Sequence, residues 1–291
     1  MDFSDLVFSA SELNDILITN QYFRNCDLKV IAEYIENDLL SKEYAIFKIL
    51  PIMACKNSFN TIYRVSTNRY VREDKKNERL DSIFDLKYPP IDKAKDISYN
   101  RCNYKGQSMF YGGFGDLFSI VESKPAKGDL ITISKWKMKP NYDLNYVPVF
   151  QDNFINEYTD EFKDEWKQYQ DKLSTLNFNQ RLAIEYTYSL ITFFFTRPIN
   201  HKIEYLYSAY FTNRIFDMDK DIEAIFYPSV PNKYMACNLA IKPNIFDNKF
   251  DFLEAKELLI LTDYNTSGGW LSKPLAIAKD VSKDLLVWIK E

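Results

Sequence analysis

The chain has 291 residues, of which 46% are hydrophobic and 27% charged, the ordinary makeup of a soluble globular protein long enough to bury a large core. Its net charge of −4 is uneven: residues 1–58 hold 5 basic and 9 acidic groups (−4), whereas residues 59–111 hold 11 and 7 (+4). This balance argues against a whole-surface grip on nucleic acid and allows a local anion site within 59–111.

Residues 9–50 read as helical. Leu13, Ile16 and Leu17 share one face, and Leu28, Ile31, Ala32, Ile35 and Leu39 recur at spacings of three and four until Pro51 ends the pattern. Residues 1–58 are therefore expected to form a helical appendage, with the main domain at 59–291. The acidic start lacks the basic and apolar pattern of a signal peptide, and the apolar stretch 190–195 is too short to span a bilayer. A cytoplasmic protein without membrane contact is expected.

From Phe59 the pattern changes. FNTIYRVS alternates and predicts a strand, followed by a polar connection over 68–100. SMFYGG predicts a short strand, 115–123 a helix and 129–139 another strand. Residues 158–215 read as mostly helical, with Phe178, Leu182, Tyr186, Leu190 and Phe194 as an i, i+4 stripe and His201 opening a further helix. IEAIFYPS, CNLAIK and ELLILTDY predict three more strands. Strands and helices do not strictly alternate, which points to an α+β domain.

Five of the seven glycines (Gly106, Gly112, Gly113, Gly115 and Gly128) fall within 23 positions. Such a cluster suits tight turns or a ligand lying against the backbone. GGFG lacks the spacing and the Lys-Ser/Thr ending of nucleotide-binding loops. On the next helix, Phe118, Val121 and Glu122 share a face. A carboxylate on an apolar stripe must be paired, used, or at the stripe's edge. Cys26, Cys55, Cys102 and Cys237 show no metal-ligand spacing, so no metal is expected. With one histidine, His201, a Ser–His–Asp hydrolase has little to stand on.

Three segments together resemble the RES domain, named for its Arg, Glu and Ser. They are Tyr63-Arg64 in FNTIYRV, NRCNYKGQSMFYGGFGDLFSIVE with Arg101, Asn103, Gly106, Tyr111 and Glu122, and Tyr227-Pro228-Ser229 in IEAIFYPSVPNKYMACNLAIKP. The resemblance runs over roughly 59–245. Asn100 and Cys102 depart from the family's Gly and aromatic residue, and the Arg64–Arg101 interval and residues 151–215 are longer than in compact members. The resemblance implies a mixed-sheet core similar to ADP-ribosyltransferase toxins. It also implies cleavage of the nicotinamide–ribose bond of NAD, with inorganic phosphate as the acceptor in some members. Several members are toxins held by a helix-turn-helix antitoxin.

The residue types suit that chemistry. Leaving nicotinamide builds positive charge on the ribose, which a fixed carboxylate stabilises, so Glu122 is the candidate. The pyrophosphate favours planar, permanently charged donors, hence Arg64 and Arg101. Tyr63, Tyr111 and Tyr227 offer stacking faces, Gly112 permits close backbone approach, and Ser229 offers a hydroxyl to a phosphate or ribose oxygen. Taken singly, each has an ordinary alternative: a surface strand arginine, a turn-capping serine, core tyrosines. The same site would also serve transfer of ADP-ribose to a protein, or nucleotide or partner binding without turnover.

Overall fold

The structure, a computed structural model, describes residues 54–71, 76–92, 97–149, 160–178, 188, 191–199, 202–263 and 271–290, with single positions at 181 and 269. The helices expected within 9–50, and His201, lie outside the described residues. The class is α+β, as the mixed pattern predicts: among the described residues ten strands form one sheet with helices packed against it. No helix among the described residues is long and apolar enough to cross a membrane.

The strands are β1 (Cys55–Asn57), β2 (Thr61–Thr67), β3 (Phe110–Gly113), β4 (Leu130–Met138), β5 (Leu144–Pro148), β6 (Ala224–Pro228), β7 (Cys237–Ile241), β8 (Phe250–Ile260), β9 (Ser272–Ser282) and β10 (Leu285–Lys290). Their order across the sheet is β1-β5-β6-β7-β3-β2-β4-β8-β9-β10. Among the described strands only β5 and β6 run parallel, and the chain between them carries most of the described helical residues. The helices are α1 (Asn68–Val71), α2 (Asp116–Ser123), α3 (Asp160–Ser174), α4 (Leu206–Met218) and α5 (Pro243–Lys249).

β1 falls within residues 1–58, read from sequence as a helical appendage. Residues Cys55–Asn57 are not helical; they pair with β5 as an edge strand, and Cys55 is buried. A run of three strand residues is too short to show alternation in the sequence. Pairing with β5 is what makes it a strand.

The aromatic content is largely core. Phe59, Phe114, Tyr146 and Phe226 cluster in tilted and stacked contacts, and Phe110 stacks on Phe246 at 3.8 Å beside Trp136. Offset and tilted ring pairs of this kind add about 0.5–1.5 kcal/mol each beyond the area they bury. The expected stripe over 178–194 holds at one end and fails at the other. Phe194 is buried, while Phe178 lies 76% exposed beyond the C-terminus of α3; Leu182, Tyr186 and Leu190 lie outside the described residues.

The sheet has a weak junction that positions everything below. β2 pairs with β4 along its whole length, from Thr61↔Lys137 to Thr67↔Ile131. On its other side β2 meets β3 at one residue pair, Tyr63↔Gly113. The sheet is thus two blocks, β1-β5-β6-β7-β3 and β2-β4-β8-β9-β10, joined at that pair. Beyond it the strands part, and a crevice opens between Arg64–Val65 and Tyr111–Gly112.

Candidate functional site

A cavity of about 470 Å³ occupies this crevice, a volume within the usual range for small-molecule sites. Seven of the eight residues expected from sequence line it: Tyr63, Arg64, Arg101, Tyr111, Gly112, Glu122 and Tyr227. Segments far apart in the chain meet here because β6, β7, β3 and β2 lie side by side in the sheet.

One row across the sheet forms the floor. Register aligns Tyr227 of β6 with Asn238 of β7, Asn238 with Gly113 of β3, and Gly113 with Tyr63 of β2. Directly opposed residues point to the same face. Gly113 leaves a gap in the row, and α2 fills it. A Cβ at Gly113 would lie 3.2 Å from Ser119 Oγ and 3.4 Å from Asn238 Oδ1. Ser119 Oγ donates to the Gly115 carbonyl at 2.7 Å and reaches the Tyr63 carbonyl at 3.5 Å. Helix α2 therefore sits across the junction of the two blocks.

This seating corrects the apolar face expected of α2. Leu117 and Phe118 are 72% and 40% exposed, and the helix turns Ser119 and Ile120 inward. The space above Gly113 admits a serine, not a phenylalanine, so the small residue decides which face docks. Glu122 is half-buried at the cavity wall rather than on an apolar stripe. Its Oε1 accepts a 2.6 Å hydrogen bond from Asn238 Nδ2, and Oε2 has no partner among the described residues.

Arg64 is the opposing charge. Its Nη1 donates to the Tyr111 carbonyl at 3.2 Å across the gap between β2 and β3, and its guanidinium lies 5.7 Å from the Phe110 ring. Nε is buried without a hydrogen-bond partner, and no carboxylate pairs with Arg64 among the described residues. Burial pushes its pKa down to about 10, against a smaller upward pull from Tyr111. A desolvated guanidinium without a counter-ion is costly to the folded protein. An anion entering the cavity would relieve that cost.

Arg101 is held differently. Its Nη1 donates to the carbonyls of Phe194 and Phe195, the last turn of the helical residues 191–196, and its guanidinium packs 5.1 Å from the Tyr205 ring. A cation at a helix C-terminus satisfies carbonyls that the helix leaves open. Arg101 thus fixes the far wall of the cavity as well as lining it. Tyr111 is anchored by its hydroxyl, which donates to Asn103 Oδ1 at 2.7 Å and accepts from the Cys102 backbone N–H at 3.0 Å. Burial pushes the Tyr111 and Tyr227 phenols well above their ordinary pKa. Both stay protonated at neutral pH.

Gly112 is required by packing. A Cβ there would meet a Phe110 ring carbon at 2.8 Å and the Tyr63 carbonyl at 3.1 Å. That close approach of β2 and β3 lies beside Tyr63↔Gly113, the one ladder pair described between the two blocks.

Ser229 is the residue that does not line the cavity. It is buried, and its Oγ accepts from the Asn232 backbone N–H at 3.2 Å and from Asn232 Nδ2 at 2.6 Å. It closes the turn that follows β6, and that turn carries Val230 and Pro231 into the cavity wall. Asn232 also donates to the Phe118 carbonyl at 3.1 Å, and Tyr234 to the Thr196 carbonyl at 3.1 Å. The turn is therefore tied to α2 on one side and to the end of 191–196 on the other.

Asn103, Ser119, Tyr205 and Asn238 also line the cavity, and composition and periodicity gave them no role. Asn103 and Asn238 do stand inside the two longer segments that carry the RES resemblance, which was the available signal. Among the described residues no group of three or more His, Cys, Asp or Glu could hold a metal ion. No family model matches the chain, and no curated protein matches it.

Proposed function

We propose that this protein cleaves the bond between nicotinamide and ribose in NAD, with Glu122 beside the sugar and Arg64 on the pyrophosphate. The observation that carries this reading is that Glu122 and Arg64 line one cavity without pairing with each other or with any other ionised group described. Opposite charges kept apart in one partly desolvated site suit a substrate that needs both. The pyrophosphate takes the guanidinium, and the sugar, positive in the transition state, takes the carboxylate.

In the reaction the C1′–N bond breaks and its electron pair leaves with nicotinamide. Positive charge develops on C1′ and the ring oxygen. The Glu122 carboxylate, held through Oε1, stabilises that charge and can accept a ribose hydroxyl proton in a hydrogen bond through Oε2. An acceptor oxygen, from water or inorganic phosphate, then bonds to C1′ and loses its proton. Tyr63, Tyr111 and Tyr227 provide flat faces for the nicotinamide and keep bulk water from the reacting carbon. Arg101 adds positive potential from the wall, and Ser229 acts through the turn it closes. Depletion of NAD would make the protein toxic to the cell that makes it, and an antitoxin would then be its partner.

The test is nicotinamide release from NAD, with and without inorganic phosphate, by wild type and by Glu122→Gln. Release by wild type, reduced on the order of a hundredfold or more in the variant, is expected. No release from folded wild type under either condition would refute the reading. Radiolabelled NAD incubated with a cell lysate separates hydrolysis and phosphorolysis from transfer to protein.

A further inference from the structure

Asn238 has no function under the scheme above, yet it makes the one hydrogen bond that the Glu122 carboxylate forms among the described residues. Three features place it. β7 lies between β6 and β3, so Asn238 stands in the floor row between Tyr227 and Gly113. Gly113 carries no side chain, which lets the Asn238 amide lie low over β3 and face α2. Ser119, one helical turn before Glu122, is anchored at the same gap. Glu122 thereby reaches Asn238 Nδ2 at 2.6 Å from a fixed helix position.

An amide donor on one carboxylate oxygen does two things. It restricts the carboxylate to one orientation, and it leaves Oε2 as the carboxylate oxygen without a hydrogen-bond partner among the described residues. We infer that Asn238 is the positioning residue of the site, aiming Glu122 Oε2 at the substrate through its hydrogen bond to Oε1. Its kinetic consequence rests on the NAD reading; the hydrogen-bond relationship does not.

The experiment has two arms on the full chain. In the first, the side-chain amide protons of Asn238 are followed by ¹H–¹⁵N NMR and assigned by their loss in Asn238→Asp. Glu122→Ala should move one of the two protons upfield and leave the other near its place. Unmoved protons would overturn the inference. In the second, Asn238→Ala should lower kcat for nicotinamide release by about tenfold or more, because a charge-assisted hydrogen bond is lost. KM should stay within about threefold, because the substrate's own contacts are kept. Asn238→Asp sets a second carboxylate against Glu122 and should cost at least as much. A rise in KM with kcat unchanged would overturn the inference. If Asn238→Ala fails to fold, Asn238→Ser, which keeps a small polar side chain in the gap, is read the same way. Wild type that releases no nicotinamide, with the NMR shift intact, refutes the NAD reading and leaves the Asn238–Glu122 pair standing.

Discussion

Arg64 and Tyr111 meet where two strands fail to pair: Arg64 Nη1 donates to the Tyr111 carbonyl at 3.2 Å, Nε is buried without a hydrogen-bond partner, and no carboxylate among the described residues pairs with the guanidinium. Neighbouring antiparallel strands ordinarily close such a gap with ladder hydrogen bonds. Here a buried cation takes their place, and the folded protein is less stable for it.

Arg64→Met should therefore make the ligand-free protein more stable, by about 1 kcal/mol, because an apolar side chain replaces a desolvated and uncompensated charge. That corresponds to roughly 2–4 °C in Tm. Under the proposed NAD reading, ADP-ribose should stabilise wild type against heat, and the same variant should lose that stabilisation. Differential scanning fluorimetry with and without ADP-ribose reads both effects. A variant less stable than wild type in the absence of ligand would contradict the account of Arg64 as an unpaired charge.

Alkaline pH should destabilise the fold through its tyrosines. Burial, the largest influence, holds the Tyr111 and Tyr227 phenols well above the ordinary value of 10.0, and it pushes Tyr88 up to about 12, with the Asp247 carboxylate adding to the shift. As pH rises through about 10, the unfolded chain gives up these protons while the folded chain keeps them. The unfolded state then binds fewer protons, so stability falls with pH above that point and is fully present below it. Urea unfolding from pH 8 to 11 should show the decline begin near pH 10, and Tyr227→Phe should make it shallower. A slope unchanged by that substitution would mean that other groups carry the effect.

Ser229→Ala separates a turn-holding serine from one that touches substrate. Loss of the two hydrogen bonds from Asn232 should cost about 1 kcal/mol of stability. It should raise KM more than it lowers kcat, since Val230 and Pro231 lose their fixed place in the wall. A kcat loss comparable to that of Glu122→Gln, with stability unchanged, would instead put the hydroxyl on the reacting groups.

Cys102 should be inert in the native protein. It is fully buried, and burial pushes its thiol up to about 12 despite smaller opposing pulls from Thr212 and Arg101. Alkylation with iodoacetamide at pH 8, mapped by mass spectrometry, should leave Cys102 unmodified until denaturant is added. Rapid native labelling at Cys102 would show that the wall behind Tyr111 opens.

Much of the site could be read from sequence because its residues lie on short elements with strong local signals. Tyr63, Arg64, Tyr111, Gly112 and Glu122 stand on β2, β3 and α2, each announced by alternation or by the glycine-rich boundary. Asn238 was not legible as part of the site's machinery, because its place next to Glu122 arises from cross-strand register and from the missing side chain of Gly113. The position of Ser229 depends on Asn232 folding back onto it, which no periodicity reports. β9 escaped because SKPLAIAKDVS mixes charges with a proline; Pro274 is tolerated beside an irregularity in the β8 pairing. α5 carried a usable signal in Pro243 at its first turn. The inward face of α2 was misread because the room above a glycine, not hydrophobicity, selects Ser119 over Phe118.

The single pairing of Tyr63 with Gly113 has a consequence for the order of events in the life of the chain. Arg64 belongs to one block of strands and Tyr111 to the other, and Glu122 rides on the helix laid across both. The block holding Tyr111 is itself incomplete until β6 and β7, far along the chain, have been made. A nascent or half-folded molecule therefore owns the residues of the site without owning the site. A chain cut short before β7 carries Arg64, Tyr111 and Glu122 but lacks the strands that bring them to one cavity.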